Sequence, residues 1–466
     1  MFYVIRYALC AMRFLKGGGF KMKRHLLSLI VFFCLFALFI SIGETSTKEV
    51  VVVTSFPKEL FETYKKAFEA KYPGVTVIVK QKQTTEGVTY IRETASKPET
   101  DIMWASAVDA FQLLKTEKLL TPYVLPKEIG SRIPAKVGAF PIHDPEGFYF
   151  GYALSGYGMM WNKPYLQAHK LKAPAEWTDL IDPSYYGHLS ISAPSRSGTT
   201  HLAVEAILQA YGWEKGWAHL LTMGGNMAVV TERSFGVPEG VNNGQYGIGI
   251  VIDFFGLSAI SSGFPVDFAY PSMTPIVPAN VGLVKNGPNE ENAKRFIHYL
   301  LSEEGQMLLF KADIGRLPVI PELYAKAPAG YPNPFRMKLG GLDFDSELSS
   351  VRYDLLNSLF DQIVTFRLGE LKEAWGAIYK AEKAIEEGKR KKKDVIKAAA
   401  MVAAARSLVT KVPVPEAKAN NKDFNKAFKG KEKTDARAKL ETEWDATAKA
   451  NYSKAKELAL KAMEMI

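Results

Sequence analysis

The chain reads as an α/β protein of two sheet-containing lobes, followed by an all-helical C-terminal extension. Three observations predict this. β-branched runs alternate with amphipathic stretches from Glu49 onward, the alternation restarts after Tyr149, and strand signals disappear beyond about Asn333.

The elements follow in order. Val50–Thr54 is a continuous β-branched run, suited to a strand buried on both faces. Ser55-Phe56-Pro57 then turns the chain, and Leu60, Tyr64, Ala67 and Phe68 line one face of a helix. Val75–Val79 is a second strand, a short helix is expected near Gly87–Ala95, and Asp101–Trp104 is a third strand ending at Ala105-Ser106. Strand and helix alternating in this way predict a mostly parallel sheet. Tyr149–Leu154 and Gly158–Asn162 read as strands crossing to a second lobe. There Leu189–Ser192 leads through Pro194–Thr200 into a helix from about His201 to Tyr211, and Gly247–Asp253 is another buried strand. Val281–Val284 is a return strand, and Asn289–Leu309 is a helix with Ala293, Phe296, Ile297 and Leu300 inward. Leu348, Val351, Leu355, Leu359, Ile363 and Phe366 then fall at helical spacing, and Asp435–Met465 reads as a final amphipathic helix. The expected division is a leader at 1–47, a first lobe of 48–155 plus 278–330, a second lobe of 156–277, and a basic helical extension at 335–466.

The formal net charge of +10 belongs to the two ends. Residues 390–466 hold nineteen Lys/Arg against ten Asp/Glu, and residues 1–47 hold six basic residues against Glu44 alone. The central region, 48–389, is mildly acidic, with 34 basic and 38 acidic residues. No basic stripe marks it, which argues against nucleic-acid binding. Lys21, Lys23 and Arg24 precede an apolar run from Leu26 to Ile42, and Ser41-Ile42-Gly43 offers a small-x-small cleavage site. This is the layout of a secretory signal peptide, with an uncleaved anchor as the alternative. Lys16–Lys21 would be encoded by purine-rich codons, so translation is expected to start at Met22. Cys10 and Cys34 both lie in the leader, so the exported chain would have no disulfide, thiolate metal site or cysteine nucleophile.

Ligands in open α/β sheets sit beyond the carboxyl ends of strands, which directs attention to a few residues. Ser195, Ser197, Gly198, Thr199 and Thr200 lie between a strand and a helix, where small residues let backbone N–H groups converge on an anion. The plainer reading is an N-cap with a polar loop. Arg196 in the same loop could neutralise charge or sit on the surface. Ser55 and Ser106 occupy matching positions after strands of the first lobe, though serines are common in turns. Asp253 ends an apolar strand, where a carboxylate needs partners: solute hydroxyls on one reading, a salt bridge or turn cap on the other. Arg233 could pair with an anionic ligand or lie exposed. His143, His188, His201 and His298 show no metal-ligand spacing, and no HExxH, Walker or GxSxG element is present. No catalytic machinery, cofactor or metal site is therefore expected.

Residues 49–325 resemble bacterial ABC-transporter solute-binding proteins of the two-lobed class related to ferric-ion binders. The resemblance rests on Val50–Phe56, Asp101–Ser106, Leu180–Pro183 through Gly187, Ser195–Thr199, Gly212–Trp217, and Asn280–Lys285 with Asn292–Lys294 and Ser302–Gln306. Within the class the chain looks closest to the hexose-phosphate-binding branch. The ferric branch carries an adjacent Tyr-Tyr pair where this chain has Asp253-Phe254-Phe255, and phenyl rings cannot ligate a hard cation. The resemblance implies a type II periplasmic-binding-protein fold and hinge closure on a phosphorylated three- to six-carbon metabolite, with an organophosphonate second. It implies a membrane partner, either an ABC permease or, alternatively, a sensor histidine kinase told of phosphoglycerate-type ligands. It supports Ser55, Ser106, Ser195–Thr200 and Asp253 as cleft residues. An enzyme on this fold is disfavoured, because the exported chain lacks the cysteine that a thiaminase-type catalyst would use. The extension lies outside the shared part, and the two lobes are expected to bind without it.

Overall fold

The β-branched run at Glu49–Thr54 forms β1, with every residue after Glu49 buried. The computed structural model describes residues 49–138, 140–337, 342–430 and 434–466, all within one unit; the leader expected at 1–47 lies outside them. After β1 come α1 (Lys58–Lys71), β2 (Thr76–Gln81), α2 (Thr84–Glu93), β3 (Ile102–Ala105), α3 (Val108–Thr116) and β4 (Leu120–Thr121). β1 pairs in parallel with β2 and β3.

The rest of this sheet is antiparallel. β5 (Phe150–Ser155) and the return strand β11 (Val277–Val284) pair with each other, β11 also pairs with β3 and β4, and β12 (Leu317–Pro318) closes the edge beside β5. The strand order is β12-β5-β11-β3-β1-β2, a mixed sheet rather than a mostly parallel one. The sequence signal for burial on both faces is the same for either direction, so it could not distinguish them. The second lobe has its own sheet, ordered β8-β7-β9-β6-β10, from β6 (Tyr157–Asn162), β7 (Leu189–Ser192), β8 (Met227–Thr231), β9 (Ile248–Ile252) and β10 (Val266–Ala269). Its helices include α4 (Gly198–Tyr211), α5 (Trp213–Gly225), α6 (Gly236–Asn242) and α7 (Asp253–Ser261); α8 (Glu290–Leu301) returns to the first lobe.

The lobes are joined where β5 runs into β6 through Gly156, and where the chain passes from β10 to β11. A side chain on Gly156 would meet Ile276 and Tyr270 at 2.8 Å, so only glycine lets the two crossing segments lie together.

The extension consists mainly of α9 (Ser346–Phe360), α10 (Leu368–Arg390), α11 (Ile396–Val409) and α12 (Asp435–Glu464). The apolar spacing that predicts one helix through Phe366 meets a π-helical turn at Asp361–Thr365, which leaves Phe366 55% exposed. The extension docks on the second lobe through apolar packing and hydrogen bonds. Trp213 donates Nε1–H to Val414 O (2.7 Å), Tyr379 donates to Asn226 Oδ1 (3.0 Å), and Tyr186 donates to Lys372 O (3.0 Å). α9 also reaches the first lobe, where Ser349 donates to Asp109 on α3 (2.9 Å) and Arg92 on α2 lies 3.6 Å from Asp354. One apolar cluster therefore runs from Phe111 and Leu114 of the first lobe, past Tyr353 and Leu356, to Trp217 and Leu221 of the second. The sequence shows that these helices have apolar faces, not that one of them braces two lobes.

Candidate functional site

The carboxyl ends of five strands converge on one cleft. β1 leads to Ser55, β2 to Lys82, β3 to Ser106, β7 to Ser197–Thr199, and β8 to Arg233; all of these residues line that cleft between the lobes. Its cations are Lys82, Arg196, Arg233 and Arg316, and no carboxylate stands among its described lining residues. Arg196 is ion-paired with Glu232 at 2.9 Å, while Arg233 has no ion-pair partner among the described residues.

The Ser197 loop is built as an N-terminus. Ser197 caps α4 by accepting from Thr200 N–H (3.2 Å), and its hydroxyl lies 2.9 Å from Thr199 Oγ1. This leaves the first N–H groups of α4 and the Thr199 hydroxyl at the cleft, where the helix end adds positive potential. Across the cleft, Thr84 donates to Ser55 Oγ (3.0 Å), and an added Cβ on Gly198 would lie 2.7 Å from Thr84 Cβ. Thr85 donates to Ser195 O at 2.7 Å. These contacts between α2 and the Ser195–Gly198 segment show the lobes in a closed arrangement.

The nine residues singled out from sequence separate into two groups. Ser55, Ser106, Ser197, Gly198, Thr199 and Arg233 all line the cleft. Ser195, Thr200 and Asp253 do not line it. Ser195 Oγ is buried, with Asp361 of the extension as its electrostatic neighbour, and Thr200 is turned inward to Ser192 and Ser197. Asp253 begins α7 behind the crossing point, where its Oδ2 accepts from Gly156 N–H (2.7 Å) and Tyr270 O–H (3.0 Å). Burial pushes its carboxyl up to about 6, against the lowering effect of these hydrogen bonds and of Arg316. Its place is that of a tie between crossing segments.

Sequence reasoning missed Thr84 and Arg316. Thr84 lies in an unremarkable Gln-Thr-Thr-Glu run, and Arg316 is a single cation in Gly315-Arg316-Leu317-Pro318; neither has a spacing that marks it. Among the described residues no group of three or more His, Cys, Asp or Glu side chains is placed to hold a metal ion, and Phe254 and Phe255 occupy the cleft wall.

Two lobes of mixed sheet, two crossing segments and a cleft at the strand ends define a type II periplasmic-binding-protein fold. Residues 98–345 match the model of the bacterial extracellular solute-binding protein family, and the chain belongs to that family. It is 31% identical over 386 residues to the phosphoglycerate transport regulatory protein PgtC of Salmonella typhimurium, which covers 83% of this chain and 91% of the relative. Among solved structures, the periplasmic binding protein AfuA of Actinobacillus pleuropneumoniae, with fructose-6-phosphate bound, superposes with a TM-score of 0.61 at 21% identity, covering 68% of this chain and 98% of that one. The periplasmic binding protein P5PA also gives a TM-score of 0.61, at 23% identity, over 68% of this chain and 99% of the other. No described helix is long and apolar enough to cross a membrane.

Proposed function

We propose that the protein is an exported receptor that captures a small phosphorylated metabolite by closure of its lobes and presents the closed form to an ABC permease. The observation that carries this reading is the cleft's chemistry. Four cations, a helix N-terminus and a set of hydroxyls line it, with no carboxylate among the described lining residues. Such a surface favours an oxyanion with hydroxyl or ester oxygens. Closure follows from ligand contacts on both lobes, since a solute touching Ser55 and Thr199 together stabilises the state in which they meet. The relative with phosphoglycerate transport regulation in its name favours a second reading, in which the same closed form is read by a sensor kinase. Permease genes or kinase genes beside this one would separate the two.

The test is thermal stability of the whole chain with phosphoglycerates, hexose phosphates, phosphonates, inorganic phosphate or ferric citrate. One organophosphate at a hundredfold excess over its Kd should stabilise the fold by about 2.7 kcal/mol. Thr199→Asp should abolish that response by placing a like charge at the end of α4. Stabilisation by ferric citrate alone, or by neutral solutes alone, would overturn the reading.

Gly198→Val supplies a second expected result. Its new side chain collides with Thr84 only when the lobes meet, so the cost falls on the closed state. Overpacking of this kind costs about 1–3 kcal/mol, which corresponds to roughly 5- to 150-fold weaker binding with little change in the ligand-free melt. Titration calorimetry with the stabilising organophosphate checks it.

A further inference from the structure

Arg316 is the one cleft cation whose surroundings leave part of it unanswered while sealing the rest. It follows Gly315, which has φ +61°, and the segment lies so close to the second lobe that a Cβ on Gly315 would come within 2.7 Å of Ser258 N. That approach carries the Arg316 side chain into the space between the lobes, where it has no solvent exposure. Its guanidinium carbon sits 4.4 Å from the ring centre of Phe56, from the first lobe, and 3.8 Å from that of Phe254, from the second. Nη1 donates to Ser106 Oγ at 3.0 Å. Nε and Nη2 have no hydrogen-bond partner, and no carboxylate lies within ion-pair distance among the described residues.

The two atoms left over form one edge of the guanidinium, with parallel N–H bonds spaced to meet two oxygens of a single oxyanion. A buried permanent cation without a counter-ion is costly, so a wall of the cleft built this way is incomplete until an anion arrives. The two phenyl rings packed against the fork hold its plane, and Ser106 fixes its rotation. Asp253 is the acid whose charge it feels, but that carboxylate is engaged by Gly156 and Tyr270 through Oδ2.

We propose that Arg316 determines specificity by holding one acidic group of the solute, phosphoryl or carboxyl, through its Nε–Nη2 edge. This rests on the reading of the cleft as an organophosphate site. Because Phe254 belongs to the other lobe, the fork is completed only on closure, which ties recognition of the acid to the closed state.

Calorimetric titration of the whole chain with 3-phosphoglycerate, glycerol 3-phosphate, glycerate, a hexose 6-phosphate and an organophosphonate tests it. Arg316→Lys keeps the charge and loses the fork, and should weaken binding of the tightest probe by roughly 10- to 50-fold. An equal loss for 3-phosphoglycerate and glycerol 3-phosphate assigns the phosphoryl group to Arg316. A loss confined to the probes bearing a carboxyl assigns that group instead. Tight binding by the wild type with Arg316→Lys within twofold for every probe overturns the role of Arg316 and leaves the cleft reading standing. No binding of any probe by the wild type overturns both. Should Arg316→Lys fail to fold, crystals of the wild type grown with the tightest probe decide. Two probe oxygens within about 2.7–3.1 Å of Nε and Nη2 are expected, and an edge satisfied by water overturns the proposal.

Discussion

Asp109→Ala should lower the unfolding free energy by about 3–5 kcal/mol, because it removes one partner of a fully buried charge pair. Asp109 has no solvent exposure and is answered three times: by Ala110 N–H at Oδ1 (2.9 Å), and by Ser349 O–H (2.9 Å) and His201 Nε2 (3.2 Å) at Oδ2. The other ring nitrogen of His201, Nδ1, lies 2.8 Å from Asn357 Oδ1. With acceptors facing both nitrogens the ring is suited to carry both protons, and the Tyr353 ring covers it at 4.1 Å between centroids. Asp109 comes from the first lobe, His201 from the second, and Ser349 and Asn357 from α9, so this cluster joins three parts of the molecule. Chemical denaturation near pH 6 checks the loss. A change below about 1 kcal/mol would mean that the lobes stay together without the cluster.

The same cluster sets a pH dependence with a definite sign. Burial opposes the charge on His201, but the charge and hydrogen bond of Asp109, with Glu205 and Asn357, outweigh it and raise its pKa. A histidine whose folded pKa lies above its unfolded value of about 6.5 contributes stability that is complete below that value. The contribution is lost as pH rises through the folded value. The raised carboxyls of Asp253, Asp354 and Asp361 act with the same sign as His201, and the lowered histidines His143, His188, His219 and His298 act with the opposite one. The wild-type melting temperature should therefore fall as pH rises above 6.5, and the Asp109→Ala curve should fall less steeply there.

Legibility from sequence divides along physical lines. Val50–Thr54 and Gly247–Asp253 announce buried strands by composition, and Ser197–Thr199 announces a helix start by residue type and position. These are local signals, and the structure places a strand or helix terminus at each. The direction of β5 and β11 depends on partners far away in the chain, and nothing in Val277–Val284 encodes it. Asp253 and Arg316 show the same limit at the site. An acid at the end of an apolar strand does not reveal whether its side chain turns to the cleft or to the crossing segment. A lone arginine gains its meaning only from Phe56, Ser106 and Phe254, which arrive from three other elements.

The second large effect is expected at Arg352, whose replacement by Met should cost about 3–5 kcal/mol. Arg352 on α9 donates Nε–H to both carboxylate oxygens of Glu205 on α4 (3.1 Å each) and Nη1–H to Asn420 Oδ1 (3.1 Å), and it lies over Trp213 at 4.9 Å. Both members of the pair are buried. Losing the arginine leaves Glu205 with Gln209 Nε2 (2.8 Å) as its remaining side-chain donor among the described residues, so a carboxylate sits in the interior without its ion-pair partner. The double variant Arg352→Met with Glu205→Leu should recover most of the loss, since an apolar pair of similar volume avoids desolvating two ions. Failure of the double variant to recover would mean that the pair fixes the docking of α9 beyond its own energy. Either outcome bears on the expectation that the two lobes suffice alone. A chain ending before 342 would strip Arg352 from Glu205, and Ser349 and Asn357 from His201, and would bare the apolar face of α5 at Trp217 and Leu221. Such a chain should fail to reach the folded baseline in denaturation, which makes the extension part of the receptor's fold.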